Sequence, residues 1–198
     1  MLSSDAIVKL QDELTTAWHG QPDHPTPADP WLAAVARQHR ANFDLWHIED
    51  EARTPGATDA QLAQVKRRID TTNQLRNDLA EELDRFLLEW LDPQQLPAEH
   101  APLHSESPGL IVDRLSILAL KIYHTREETG RPDASIDHCN RNRARLGILE
   151  EQRADLARCL DVLWRETLAG TRRFKLYRQL KMYNDPALNP AIYRNNQM

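Results

Sequence analysis

Helix-breaking residues divide this chain into five long runs and leave little room for any fold but a helical one. Asp29-Pro30 and Ser107-Pro108 each pair a capping side chain with a proline at the first helical position. Thr54-Pro55-Gly56, Asp92-Pro93, Gly130-Arg131-Pro132 and Gly170 supply the stops. Between them the apolar residues recur every three or four positions. The expected helices are Ser4 to Trp18, Pro30 to Arg53, Thr58 to Leu91, Pro108 to Thr129 and Asp133 to Leu168. A short basic helix from Arg172 to about Met182 and an irregular tail should follow. Glycine is scarce, and leucine, alanine, arginine and glutamate outweigh valine and isoleucine, which favours helix over sheet.

The lengths suggest two consecutive helical hairpins. The predicted architecture is an all-α, antiparallel four-helix bundle in a single domain. Residues 1–30 add an N-terminal helix and a proline-rich connector, residues 31–170 make the core, and residues 171–198 form a basic segment. On the third helix the inner seam reads Leu62, Val65, Ile69, Thr72, Arg76, Leu79, Leu83, Phe86, Trp90. Such a seam suits a homo-oligomer, and a bundle core accounts for it equally.

Polar residues interrupt the inward faces. On the second helix His39, Asn42, Trp46, Glu49 and Arg53 share a stripe, with Phe43 and Asp50 beside it. A buried charge costs several kcal/mol unless it is paired, so a fold that keeps these groups inside must satisfy or use them. A second polar stripe on the third helix holds Asp70, Asn73, Asn77, Glu81 and Asp84, with Asp78 at its edge. Asp113, Ser116, Lys121 and His124 are embedded in the fourth helix. These groups predict a polar centre inside the bundle.

Two cysteines make no disulfide framework, and on one helix Cys139 and Cys159 would lie about 30 Å apart, too far to pair. A reducing, cytoplasmic chain is the plain reading. The first residues carry no basic-then-apolar pattern of a signal peptide, and no apolar run is long enough for a membrane span. From Thr171 onward six basic residues face Asp185 alone, so the tail carries about +5 within a chain of net charge −5. A tail docked on its own acidic body explains this better than nucleic-acid binding, because Phe174, Tyr177 and Leu180 keep helical spacing.

Four segments resemble a known family. They are His39-x-x-Asn42-x-x-Leu45-Trp46-x-x-Glu49-Asp50-x-x-Arg53, Ile69-Asp70-x-x-Asn73-Gln74-x-Arg76-Asn77-Asp78, Val112-Asp113-Arg114-Leu115-Ser116 continuing to Tyr123-His124, and Phe174-Lys175 through Asn189-Pro190. Together they resemble the bacterial family called domain of unknown function 4254. The resemblance implies an all-helical, soluble bacterial protein with no assigned reaction, whose genes neighbour those of surface-glycan glycosyltransferases.

The residues allow three chemistries. Arg53, Arg76, Arg114 and Lys121, with Asn42, Asn73, Asn77, Asp113 and His124, would form a site for a small anionic or phosphate-bearing ligand, since guanidinium forks match phosphate. The bland reading is that each arginine neutralises a carboxylate. Alternatively, Glu49 and Asp50 facing Asp78 and Glu81 would hold Mg²⁺ on a diphosphate, giving a phosphohydrolase. Here the pattern is not the Glu-x-x-Glu of helical pyrophosphohydrolases. Finally, His39, His47 and His124 with Glu49 would make a transition-metal set, against which stands the simpler reading of His39 as a hydrogen-bonded interior histidine.

Overall fold

The structure is a computed structural model, described here for residues 2–20, 25–178 and 187–190. These residues form five α-helices: α1 (Ser4–Gly20), α2 (Pro30–Glu51), α3 (Asp59–Leu91), α4 (Pro108–Glu128) and α5 (Ile136–Leu168). One 3₁₀ turn, Asp92–Gln94, follows α3. The caps work as the residue types require. The Asp29 carboxylate accepts from the Leu32 amide at 2.9 Å, and Thr58 with Gln61 completes a reciprocal capping box. Gly170, at φ +71°, takes the left-handed position that ends α5.

α2 and α3 run antiparallel. Glu51 pairs with Arg68 near the turn, and Arg37 pairs with Glu82 much deeper along both helices. α4 also packs against α5, and it is the hub of the molecule, touching all four other helices. The main apolar cluster joins Ile7, Trp31, Val35, Leu83, Leu87 and Leu91 to Ile111, Leu115, Leu160, Leu163 and Trp164. α1 adds a smaller cluster of Leu14 and Trp18 against Phe43 and Leu120.

Two sequence expectations are corrected. The segment after Thr171 is not helical as far as Arg178. It runs extended beside the loop before α4, with the His104 amide donating to the Arg173 carbonyl at 2.8 Å and the Arg173 amide to the Pro102 carbonyl at 3.0 Å. Phe174 is buried in the main cluster, so apolar anchoring overrides local helix propensity. The remainder of the expected helix, through Met182, lies outside the described residues. The second correction concerns the α3 seam. Every fully buried residue of α3 lies at Ala80 or beyond, and Leu62 and Trp90 are exposed. Glu51 in the last turn of α2 meets Arg68, so the α3 turns before it, which carry Leu62 and Val65, have no α2 face to meet.

Candidate functional site

The polar centre is built around the Asp113 carboxylate on α4. Its Oδ1 accepts from Gln38 Nε2 at 2.6 Å, Asn42 Nδ2 at 2.9 Å and Arg76 Nε at 2.8 Å. Its Oδ2 accepts from Arg76 Nη2 at 2.5 Å. α2 and α3 therefore both grip one buried charge on α4, and the bidentate arginine neutralises it. The same two hydrogen bonds raise the Arg76 pKa against the opposing effect of burial.

The network continues through neutral groups to α1. Asn42 Nδ2 also donates to Ser116 Oγ at 2.9 Å, and Ser116 Oγ meets His39 Nδ1 at 2.7 Å. His39 Nε2 meets Thr15 Oγ1 at 2.9 Å, and that hydroxyl donates to the Gln11 carbonyl at 2.8 Å. The order of donors follows from the ends. Thr15 has spent its proton on a carbonyl, so His39 donates from Nε2, and Nδ1 accepts from Ser116. Burial depresses the His39 pKa to about 3, which matches an imidazole with one donor and one acceptor already in use.

Beside Arg76 an open cleft of about 480 Å³ lies among α2, α3 and α4, within the size range of small-molecule sites. Trp46, Leu45, Ile117 and Leu120 form its apolar lining, and Asn42, Glu49, Asp50, Arg53 and Arg76 its polar lining. Arg53 is exposed, 3.3 Å from Glu49 Oε2 on its own helix. The inward stripe expected on α2 thus divides. His39, Asn42 and Phe43 are buried, whereas Glu49 is half-buried and Asp50 and Arg53 reach the surface at the cleft.

The other expected site residues do not converge here. Asn73 and Asn77 are half-buried on α3, outside the cleft lining. Asp78 is exposed and accepts from Gln74 at 2.8 Å, and Glu81 is likewise outside the lining. The expected Mg²⁺ quartet of Glu49, Asp50, Asp78 and Glu81 is therefore not gathered around one point among the described residues. Arg114 Nη1 donates to both Glu106 carboxylate oxygens, at 2.7 and 2.8 Å, and with exposed Lys121 it lines a separate groove between α4 and α5. Helical periodicity accounts for this split: Arg114 points about 100° away from Asp113, and Lys121, seven residues on, shares the face of Arg114.

His124 has a different setting. Its ring stacks on Trp46, with centroids 4.9 Å apart and planes 7° apart, and Nδ1 lies 3.1 Å from Glu127 Oε2. Burial lowers its pKa, partly offset by the Glu127 hydrogen bond, while His19 and His47 lower it further. The expected histidine set is thus redrawn: His39 belongs to the Asp113 network, and His19 takes its place beside His47 and His124. His19 was missed because it lies on α1, distant in sequence and in no shared stripe.

These features define an all-α helical protein with a charged, hydrogen-bonded centre and a ligand-sized cleft beside it. Residues 32–176 match the family described as Protein of unknown function (DUF4254), and the chain belongs to that family. No curated protein and no solved structure gives a significant match. Among the described residues no helix is long and apolar enough to cross a membrane.

Proposed function

We propose that this protein binds a small, hydroxyl-rich ligand carrying one phosphate, such as a sugar phosphate, in the Trp46 cleft. It acts there as a binding or accessory protein of glycan synthesis in the cytoplasm. The observation that carries the reading is the mixed lining: one tryptophan with two carboxylates, two guanidiniums and an amide. An aromatic face suits the apolar face of a sugar ring, carboxylates and amides accept and donate to hydroxyls, and Arg53 suits phosphate. The charges favour a singly charged group over a polyphosphate, since Arg76 is already matched by Asp113 and Glu49 and Asp50 add two negative charges. Both cysteines are free, which supports a reducing compartment.

The phosphohydrolase alternative draws less support, because Glu49 and Asp50 are the only two members of its quartet that line the cleft. The test is a thermal-shift and calorimetric titration with hexose phosphates, free hexoses and inorganic phosphate. A sugar phosphate should raise the melting temperature by mass action. Arg53→Gln should weaken that binding about tenfold or more, the worth of a charge-assisted hydrogen bond. No shift with millimolar sugar phosphate, or a shift untouched by Arg53→Gln, rules the proposal out. Phosphate release from a nucleotide sugar with Mg²⁺ would favour the enzyme.

A further inference from the structure

Outside the lining of the Trp46 cleft, three helices bring histidines to one point. His19 comes from the last turn of α1, His47 from α2 and His124 from α4. One ligand nitrogen from each lies within 4.8 Å of the other two. All three Nδ1 atoms are engaged. His19 Nδ1 lies 2.7 Å from the Thr15 carbonyl, His47 Nδ1 lies 2.8 Å from the Phe43 carbonyl, and His124 Nδ1 faces the Glu127 carboxylate. Carbonyl and carboxylate oxygens only accept, so each Nδ1 carries a proton and each neutral ring keeps a lone pair on Nε2.

The Nε2 lone pairs are thus the ones left to act as ligands, and His124 Nε2 is buried with no hydrogen-bond partner among the described residues. A water molecule has two protons and can donate to two of them, whereas one cation can accept all three. Aromatic packing is the competing account, since His19 stacks on Tyr123 at 4.3 Å and His47 packs on Phe43 at 4.3 Å. Stacking fixes the ring planes. It gives no reason for the nitrogens to meet, because like-signed lone pairs repel.

We infer that His19, His47 and His124 form a binding site for a divalent transition-metal ion of the zinc class, with three imidazole ligands and a fourth position open to solvent on the His19 side. Each Nδ1 bond is the outer support that metal-ligating histidines need. Glu127 makes the carboxylate–histidine pairing, and the α1 and α2 carbonyls orient the other two rings. Zinc–nitrogen bonds of about 2.0–2.1 Å set tetrahedral ligands about 3.3 Å apart, so each nitrogen has to swing inward by less than about 1 Å. Imidazole nitrogens select this class over Mg²⁺ and Ca²⁺, which prefer oxygen. Three protein ligands and one exchangeable position is the coordination of a reactive rather than a closed structural site. The inference is independent of the sugar-phosphate reading, because none of the three histidines lines that cleft.

The test is calorimetry on the untagged, chelator-treated full chain, in a Cys159→Ser background to remove the exposed thiol. One equivalent of Zn²⁺ should bind, Co²⁺ should bind with the visible absorption of a tetrahedral site, and excess Mg²⁺ should not compete. A hundredfold excess of Zn²⁺ over its Kd should raise the melting temperature by about 5–10 °C. His19→Ala, His47→Ala and His124→Ala should each abolish the one-equivalent isotherm. Glu127→Gln, which touches no metal, should weaken it about tenfold or more. His100→Ala, at an exposed site, should leave it unchanged. His19 and Glu127 are both exposed, so those variants should keep the native circular dichroism and read binding without a folding defect. Absence of Zn²⁺ binding, or an isotherm that survives His19→Ala and Glu127→Gln unaltered, overturns the inference.

Discussion

His39 and Asp84 are both buried and titratable, and burial moves them in opposite directions along the pH scale. His39 falls to about 3, because its proton would charge a ring with no water around it. Asp84 rises to about 6, because burial opposes its charge more strongly than the Ser107 hydroxyl and the Gly109 amide support it. A depressed histidine stabilises the fold above its unfolded pKa near 6.5 and loses that contribution as pH falls toward 3. A raised carboxyl stabilises it below its unfolded value of 3.8 and loses that contribution as pH rises through 6. Between about pH 4 and 6 the unfolded state holds one more proton at His39 and one fewer at Asp84, so the two slopes cancel. His39→Gln keeps a donor and an acceptor but cannot titrate. Relative to wild type, its stability from urea melts should fall as pH rises from 4 to 6, by up to about 1.4 kcal/mol per unit. Asp84→Asn should give the opposite sign. Parallel curves for both variants and wild type would show that neither group is linked to folding.

At the scale of the helix, Gly109 explains how α3 and α4 come close enough for Asp84 to grip the start of α4. A methyl group there would lie 2.3 Å from the Ala80 carbonyl oxygen and 2.9 Å from the Asp84 carboxyl. The first neighbour is backbone and cannot swing aside. Gly109→Ala should therefore separate the helices and cost about 1–3 kcal/mol, a melting-temperature drop of roughly 2–12 °C by calorimetry. An unchanged melt would mean that the close approach of the two helices contributes nothing to stability. Helix ends were legible in the sequence because capping is local: Asp29, Thr58, Ser107 and Gly170 act within a few residues of themselves. The Asp113–Arg76–Asn42 link was half legible. Each residue broke an apolar pattern, which marks it as polar and inward, but the pairing depends on helix register. Gln38 was left out of the expected centre, although it donates directly to Asp113. Arg114 and Lys121 were assigned to it and turn away, since the two lie seven residues apart on a face rotated from that of Asp113.

Across the molecule, order is unevenly distributed. α4 runs through the middle, and the hydrogen-bonded string from Thr15 through His39, Ser116, Asn42 and Asp113 to Arg76 ties α1, α2, α3 and α4 together at one level. The main apolar cluster lies toward the other end, where Leu83, Leu87 and Leu91 meet α5 residues Leu160 and Leu163. Away from both, the first turns of α3 have no fully buried residue before Ala80, and Ile136 and Ile148 of α5 are exposed. Local opening costs least where few apolar contacts must break. Native-state hydrogen exchange read by mass spectrometry should therefore show Asp59–Leu75 exchanging well before Leu83–Leu91, although one continuous helix contains both. The α4 stretch 111–122 should be among the last to exchange, because it belongs to the apolar cluster and the polar string at once. Uniform protection along α3 would mean that its first half is covered in solution, which would point to a second copy of the chain lying against Leu62 and Leu75.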